Sequence, residues 1–564
     1  MKVLLTAINA KYIHSNLAIK SIAEYSRQYK DYIETAEYTI NNYTDYIIKD
    51  IYKKHPDVLM FSCYLWNISY VYEVSEELKK VLPDTDIWLG GPEVSYDAVK
   101  TLQEHPYIKG IMAGEGEQIV CNLMKHYVDK SLDLSQVRGI LYEENGRFYT
   151  NPPEELLSMD ELPFVYEDME EYENKIIYYE SSRGCPFGCS YCLSSIDKSV
   201  RFRSLCLVKK ELKFFLEKKV PQVKFVDRTF NCRHDRTVEL LQFLLENDNG
   251  VTNFHFEVAA DLIREDEIEI MQKMRPGLIQ LEIGVQSTNP ATIQEIDRVM
   301  DFHKVSQVVC KINEKGNVHQ HLDLIAGLPY ETIHEFKQSF NDVYALQPEQ
   351  FQLGFLKVLK GSKMYRNAEE YGIVYKTKAP YEVMKTKWMS YEDILFLKNV
   401  EKMVEVYYNS GQYHYILSCL TRCFDTPYDM YVALGRYYEE KGLFDIKHSR
   451  ITRYTILKEF MDCCVECSTE EKEQLLCVLK FDLYLREKLK TRPEFFAEPD
   501  KESVRVLYNE NAAKHKGRIV HIEHFDIDVQ YLMQEHKIRK ADEYVLFDYD
   551  ERNPVNYQPK VEVL

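Results

Sequence analysis

The chain has 564 residues, and 90 acidic residues against 71 lysines and arginines give a formal net charge of −19. At roughly 100 to 200 residues per domain, this length predicts several domains, and an apolar fraction of 45% indicates folded globular ones. The acidic excess argues against general nucleic-acid binding, which rests on clustered lysine and arginine. Apolar runs are too short for a membrane span or a secretory signal. We therefore expect a soluble cytoplasmic protein.

From the N-terminus, short apolar runs alternate with amphipathic segments of helical length, as is typical of a parallel α/β sheet. This alternation predicts a doubly wound, Rossmann-like (flavodoxin-like) domain over residues 1–130. Its predicted strands are 2–7, 58–62, 87–90 and 108–113, and its clearest helices are 16–29 and 68–81.

Residues 131–175 are interpreted as a linker, with a hairpin at 139–149. Alternation then resumes and predicts an open, partial (β/α)6 TIM-like barrel over 176–370. The remaining residues, 371–564, predict a mostly α-helical C-terminal domain. The six barrel strands are predicted at 176–179, 223–226, 254–258, 278–284, 321–325 and 351–356.

Three cysteines, Cys185, Cys189 and Cys192, follow the first barrel strand in a segment rich in glycine and proline. Three thiolates on one tight loop suit an iron–sulfur cluster, because soft sulfur ligands hold iron well. A complete cluster takes four cysteines, so three leave one iron open to an exogenous ligand. A zinc ion completed by a distant histidine or cysteine is the alternative.

The spacing of these cysteines resembles the CxxxCxxC signature of radical S-adenosylmethionine (radical SAM) enzymes. The resemblance implies that the cysteines hold a [4Fe–4S] cluster whose open iron binds S-adenosylmethionine, which is cleaved reductively to a 5′-deoxyadenosyl radical. It also implies an electron donor such as flavodoxin or ferredoxin. Further matches to the family's strand motifs imply four contacts to S-adenosylmethionine: Glu257, Gln286, Arg298 and Asp323.

Two motifs follow strands of the first domain, GGPE at 90–93 and GEGE at 114–117. Doubly wound sheets bind ligands at the carboxyl ends of their strands, although turn glycines and capping glutamates would also explain both motifs. Because they precede a radical SAM barrel, these motifs resemble the cobalamin-binding class of that superfamily. The sequence lacks the Asp-x-His-x-x-Gly element with which some cobalamin proteins supply a histidine to cobalt. His14 is the only histidine on the first loop, and it is disfavoured as a cobalt ligand. The residues implied for the cofactor face are Ser15, Asn16, Ser62, Trp66, Gly91, Glu93, Gly114 and Glu115.

The C-terminal third contains Cys463, Cys464 and Cys467, which invite a second metal site completed by Cys419 with Cys423 or Cys477. A helical pattern over 460–467 favours buried free thiols instead. The layout of the whole chain resembles cobalamin-type radical proteins with an uncharacterised helical C-terminal domain. That resemblance names no substrate.

The sequence therefore predicts a radical SAM enzyme that uses cobalamin to methylate a carbon of an unidentified substrate. A cobalamin-independent radical rearrangement, cyclisation or C–S reaction is the second hypothesis. A non-catalytic iron–sulfur or zinc protein that senses redox state or acts as a scaffold is the third.

Overall fold

The N-terminal region folds around a seven-stranded sheet in the computed structural model of this protein, which describes residues 1–512, 514–553 and 557–564. Its helices and strands, in chain order, are β1 (Val3–Asn9), α1 (Leu17–Tyr25), β2 (Ile33–Thr39), α2 (Thr44–Lys54), β3 (Val58–Ser62), α3 (Ile68–Val81), β4 (Asp86–Gly90), α4 (Pro92–Ser95), α5 (Ala98–Glu104), β5 (Gly110–Met112), α6 (Gly116–Met124), β6 (Ile140–Glu144) and β7 (Arg147–Thr150).

The first five strands are parallel and lie in the order β2-β1-β3-β4-β5. This is the flavodoxin-like order, and it confirms the predicted fold class. The strands β3 and β4 bury nearly every side chain, so they are apolar throughout and easily predicted. The edge strand β2 mixes buried and half-buried positions, which explains why no apolar run marks it in the sequence.

The predicted hairpin forms as β6 and β7, and it belongs to the first sheet rather than standing free. β6 pairs antiparallel with β5, and β7 pairs with β6. The hairpin therefore covers the edge of the parallel sheet that would otherwise expose unpaired backbone groups.

The second region is a partial barrel of six parallel strands in the order β15-β14-β13-β12-β11-β8. This confirms the predicted (β/α)6 architecture. Its elements are β8 (Ile177–Tyr179), β9 (Ser182–Arg183), β10 (Arg201–Phe202), α7 (Leu205–Glu217), β11 (Gln222–Phe225), α8 (His234–Glu246), β12 (Asn253–Val258), α9 (Glu265–Met271), β13 (Ile279–Gln286), α10 (Pro290–Glu295), α11 (Phe302–Asn313), β14 (His319–Ala326), α12 (Ile333–Tyr344) and β15 (Gln350–Phe355).

Side-chain alternation along β13 sets the two faces of the barrel wall. Its odd-numbered residues, from Ile279 to Val285, are buried in the core, whereas the even-numbered ones are half-buried. Among the latter, Glu282, Gly284 and Gln286 line an interior cavity. The apolar face thus packs outward on the helices and the polar face lines the barrel.

The C-terminal region is mostly helical, as predicted, and ends in a three-stranded antiparallel sheet that the sequence pattern did not reveal. No helix in the described part of the chain has both the length and the apolar character needed to cross a membrane. The elements beyond the last barrel strand are α13 (Lys363–Arg366), β16 (Val374–Tyr375), β17 (Val383–Lys385), α14 (Tyr391–Met403), α15 (His414–Leu420), α16 (Pro427–Glu440), α17 (Arg450–Cys464), α18 (Thr469–Arg486), α19 (Lys501–Asn511), β18 (Val520–Ile527), α20 (Val529–Glu535), β19 (Lys540–Arg552) and β20 (Pro559–Val563).

A buried carboxyl group joins two of these helices. Asp482 of α18 is 3% exposed and accepts hydrogen bonds from the backbone N–H groups of Tyr415 (3.2 Å) and Ile416 (2.7 Å) at the start of α15. Burial raises the pKa of Asp482 from 3.8 to about 8, although both hydrogen bonds favour the charged form. The folded chain therefore holds a proton that the unfolded chain releases at lower pH.

We predict that Asp482→Asn changes the pH dependence of stability. Between pH 3.8 and about 8 the contribution of Asp482 to wild-type stability falls with rising pH, because only in the unfolded state has this carboxyl group released its proton. Asparagine keeps one acceptor oxygen and does not titrate. The thermal midpoint of the variant, relative to wild type, should therefore rise between about pH 5 and about pH 8. Parallel midpoints for the two proteins across this range would contradict the prediction.

Candidate functional site

The three motif cysteines lie on one loop that a short antiparallel pair closes. β9 and β10 flank residues 184–200 and bring the two ends of the loop together. At the middle of the loop, the backbone N–H of Ser190 donates to the carbonyl of Ile296 (2.8 Å), and the N–H of Met364 donates to the carbonyl of Ser190 (2.8 Å). The loop is thus fixed by backbone hydrogen bonds to segments on both sides.

Cys185, Cys189 and Cys192 all line a cavity of about 200 Å³ at the carboxyl ends of the barrel strands. The first two are buried and the third is half-buried. Among the described residues, two groups of three side chains are close enough to hold one metal ion, with their donor atoms within 4.8 Å of one another: His234 with Asp266 and Glu267, and His524 with Asp526 and Asp542. The three thiols are in neither group, so they are spread more widely than a single zinc ion requires and suit a larger cluster.

The four residues implied as S-adenosylmethionine contacts, Glu257, Gln286, Arg298 and Asp323, line the same cavity. Gln286 has a φ of 71°, and its buried Oε1 has no hydrogen-bond partner among the described residues. A Cβ at Gly284 would lie 2.3 Å from Nε2 of Gln286. Glycine at position 284 therefore makes the space that lets the Gln286 amide turn into the cavity.

Arg298 connects the loop of residues 184–200, which carries the three cysteines and is called the cluster loop below, to the barrel wall. One of its terminal nitrogens lies 3.2 Å from the hydroxyl of Tyr191 and 3.7 Å from Sγ of Cys189, and the other donates to the carbonyl of Gly284. Its Nε has no partner among the described residues. The guanidinium thus keeps one donor free beside the thiols.

The barrel interior at this cavity carries a layer of paired acidic and basic side chains, and the sequence did not predict these pairings. Glu282 accepts from Lys224 (3.1 Å) and lies 2.9 Å from Nε2 of His255, while Nε2 of His321 lies 2.9 Å from Asp323. Burial works against ionisation of Glu282, but His255 and Lys224 outweigh it and lower its pKa to about 2. The sequence did contain a sign of this layer, because these residues occupy alternate positions along neighbouring strands.

A larger cavity of about 710 Å³ lies between the first domain and the barrel. Met60, Phe61 and Met112 contribute apolar surface, and Tyr64 and Trp66 stack with ring centroids 4.5 Å apart. A Cβ at Gly91, where φ is 111°, would lie 2.5 Å from the carbonyl oxygen of Cys63, so this turn requires glycine. Seven of the residues implied for the cofactor face line this cavity: Ser15, Asn16, Ser62, Trp66, Gly91, Gly114 and Glu115.

The eighth, Glu93, does not line the cavity. It is 6% exposed, accepts a hydrogen bond from the hydroxyl of Tyr381 and lies 3.7 Å from Nζ of Lys360. The reason is local: Pro92 begins α4, and the helix directs the next side chain away from the crevice toward the segment after the barrel. The structure therefore places Glu93 in an interface between regions.

An ion-pair network joins the first domain to the cluster loop. Arg183, two residues before Cys185, lies 2.7 Å from Glu117, 3.3 Å from Glu115 and 2.9 Å from Glu180. Burial lowers the pKa of Arg183, but Glu180 and Glu117 together raise it above the ordinary value. The GEGE motif therefore contacts the barrel as well as the cavity, a role that its position in the sequence did not reveal.

His14 also bridges the two domains. Its Nδ1 makes a short hydrogen bond with the hydroxyl of Tyr178 on β8, and its backbone pairs with Ile176. Burial lowers the pKa of His14, followed by the charge of Lys11. The rings of His14 and Tyr178 both line the larger cavity. Because of their hydrogen bond, the imidazole already has a protein partner there.

The C-terminal cysteines do not gather into a compact ligand group among the described residues. Cys463 and Cys464, at the end of α17, are exposed, and Cys467 is half-buried. None of them, nor Cys419, Cys423 or Cys477, belongs to the compact ligand groups found among the described residues.

Comparison with protein-family models finds three matches. Residues 3–124 match the B12 binding domain, residues 179–343 match the radical SAM superfamily, and residues 369–547 match a protein family of unknown function, DUF4080.

Individual relatives agree with this arrangement. An uncharacterized methyltransferase of Pyrococcus horikoshii is 25% identical over 333 residues, which are 57% of this chain and 71% of the relative. The cobalamin-dependent radical SAM methyltransferase TokK of Streptomyces tokunonensis is 24% identical over 314 residues, 51% of this chain and 45% of TokK. The structure of OxsB, a cobalamin-dependent S-adenosylmethionine radical enzyme, covers 85% of this chain and 79% of its own at 15% identity, with a TM-score of 0.59.

The two matched N-terminal domains imply a [4Fe–4S] cluster, S-adenosylmethionine and cobalamin as cofactors, and the residues present fit these groups. Three thiols for iron, an unpartnered amide oxygen on Gln286 and a free Arg298 donor share the smaller cavity. The larger cavity meets the GGPE and GEGE turns. The chain therefore combines an N-terminal B12-binding domain with a radical SAM domain.

Proposed function

We propose that the chain is a cobalamin-dependent radical SAM methyltransferase that methylates a carbon atom of its substrate. One observation carries the proposal: Arg228 and Glu257 line both cavities, so the space for S-adenosylmethionine and the space for cobalamin meet at one junction. A methyl transfer of this kind needs both cofactors to reach the same substrate carbon. The methyltransferase relatives named above support the same reaction class.

In this proposal, different residues of the chain bind different cofactors. When bound, the cluster with S-adenosylmethionine supplies hydrogen abstraction and cobalamin supplies the methyl group. Cys185, Cys189 and Cys192 hold the cluster on a loop that backbone hydrogen bonds keep in place. Gln286 offers an acceptor oxygen to polar groups of S-adenosylmethionine, since its Oε1 is otherwise unpaired. The protein must also exclude water and hold the reacting carbon in contact, because proximity and orientation decide which bond reacts.

Glu257 is the second residue at the junction. Burial and the nearby Glu282 carboxylate raise its pKa to about 7. Near neutral pH its carboxyl group therefore exists in large part as the uncharged acid, which can donate a hydrogen bond as well as accept one.

We predict that a variant with all three of Cys185, Cys189 and Cys192 changed to alanine loses the cluster and S-adenosylmethionine cleavage. The wild-type protein, reconstituted anaerobically and reduced, should form 5′-deoxyadenosine. The matched control changes Cys463, Cys464 and Cys467 to alanine and should retain iron and cleavage. Iron content and 5′-deoxyadenosine are measured together. Cleavage that persists without Cys185, Cys189 and Cys192 would contradict the assignment of the cluster to these three cysteines.

Gly284→Ala should weaken S-adenosylmethionine binding although residue 284 need not contact it. The new Cβ would displace the Gln286 amide, with which it cannot share space at 2.3 Å, and the lost hydrogen bond should lower affinity by about tenfold. Equilibrium binding is measured with iron content as a check on the cluster. Gly435→Ala in α16, where a Cβ meets its nearest atom at 3.5 Å, is the control. Equal affinities for the two variants would contradict the placement of Gln286.

Ser62→Trp should abolish cobalamin binding and spare the cluster. Ser62 ends β3 and lines the larger cavity, so an indole there occupies cofactor space. The wild-type protein should bind about one cobalamin per chain, since the domain has one such crevice. Ser131→Trp, at an exposed position in the same domain, is the control. Extracted cobalamin and iron are quantified together, and a Ser62→Trp protein with full cobalamin content would place the cofactor elsewhere.

A further inference from the structure

Arg228 occupies an unusual position at the junction of the two cavities. It follows β11 by three residues, in the segment Asp227-Arg228-Thr229, and it lines both the smaller and the larger cavity. Its side chain is exposed and makes no hydrogen bond or ion pair within the described residues. The guanidinium group therefore has all of its donors free.

Its neighbours in the same turn are fully engaged. Asp227 is 2% exposed and accepts from the N–H of Ser181 (2.7 Å), the hydroxyl of Ser181 (2.6 Å) and the N–H of Ser182 (3.0 Å). Thr229 is buried, and its hydroxyl lies 3.6 Å from Sγ of Cys185. The turn is thus held from both sides, and the carbonyl of Arg228 accepts a hydrogen bond from the Thr229 hydroxyl (2.7 Å), while its guanidinium makes no hydrogen bond or ion pair among the described residues.

The other cations around the junction each have a hydrogen-bond or ion-pair partner in the protein. Lys224 donates to Glu282, Arg183 pairs with three glutamates, and Arg298 binds the carbonyl of Gly284. Glu257 is close enough for the charge of Arg228 to act against the rise of its pKa, but no ion pair within 4.0 Å joins the two side chains among the described residues. The guanidinium of Arg228 therefore has no ion-pair partner at the junction, and its shape suits bidentate binding of a carboxylate or phosphate.

We propose that Arg228 binds an anionic group, a carboxylate or a phosphate, of the substrate, so that this protein acts on an anionic substrate anchored between its two cofactors. Anchoring one end of the substrate at the junction fixes the distance from the anion to the reacting carbon. This inference rests on the proposed function for the identity of the two cofactors.

The test measures the reactivity of Arg228 itself. Anaerobic wild-type protein loaded with cluster, S-adenosylmethionine and cobalamin is treated with phenylglyoxal, which labels accessible guanidinium groups, and labelling is quantified by peptide mass spectrometry. Phenylacetate, phenyl phosphate and the neutral phenylacetamide are compared as protecting probes. Arg147 on β7, which is exposed and lines neither cavity, reports any general quenching of the reagent.

We expect Arg228 to be labelled in the loaded protein and to be protected by at least one of the anions. Half-protection should need an about tenfold lower concentration of that anion than of phenylacetamide, the discrimination expected of a charge-assisted hydrogen bond. Stronger protection by phenylacetate or by phenyl phosphate identifies the class of anion. Labelling of Arg147 should not change.

Three results would overturn the proposal. Labelling of Arg228 in the cofactor-free protein but not in the loaded protein would mean that a cofactor holds the guanidinium. Equal protection by the amide and both anions, or no labelling in either form, would remove the anion site. None of these measurements needs turnover. A wild-type protein that shows the charge preference but forms no 5′-deoxyadenosine would contradict the proposed function and leave the anion site intact.

Discussion

The ion pairs of Arg183 with Glu115, Glu117 and Glu180 hold the geometry on which the candidate site depends. They join the turn after β5 to the residue that precedes the cluster loop. Buried charges are tolerated only when they are paired with good geometry; here one guanidinium contacts three carboxylates, of which Glu115 also pairs with Arg201. Each carboxylate must therefore occupy a particular position around the guanidinium as well as carry a charge. This requirement orients the first domain against the barrel and closes the larger cavity between them.

The two cavities differ in the surface that they offer. The smaller one is bounded by thiols and by the polar residues of alternate strand positions. The larger one combines apolar side chains of the first sheet with glycine turns, and it meets the barrel wall at Tyr178 and Lys224. Because each cavity is built mainly by a different domain, the junction between them exists only when both domains are in contact.

Much of this arrangement followed from local sequence patterns. The strand Val58–Ser62 and the helix Ile68–Val81 have the predicted bounds, since buried strands and amphipathic helices carry strong periodic signals. The gathering of the three cysteines with Gln286, Arg298 and Asp323 around one cavity agrees with the predicted site, whose roles in binding remain proposals.

What could not be predicted depends on partners distant in the chain. Glu93 was expected to face a cofactor because it follows a glycine turn, but Tyr381, which engages it, lies 288 residues away. The pairing of Arg183 with the first domain and the hydrogen bond between His14 and Tyr178 are likewise products of domain contact. Local patterns place a side chain at a strand end, and only the tertiary structure decides which neighbour it meets.

The backbone bond from Met364 to Ser190 gives the region beyond the barrel a direct hold on the cluster loop. The helix α13 that contains Met364 lies past the last barrel strand, and a valine from β17, Val383, packs within 2.8 Å of where a Cβ of Gly327 would be. The barrel and its C-terminal extension therefore share a boundary that cannot be cut cleanly. A gene fragment that stops at the end of β15 would encode a barrel whose cysteine-bearing loop has lost one of its supports.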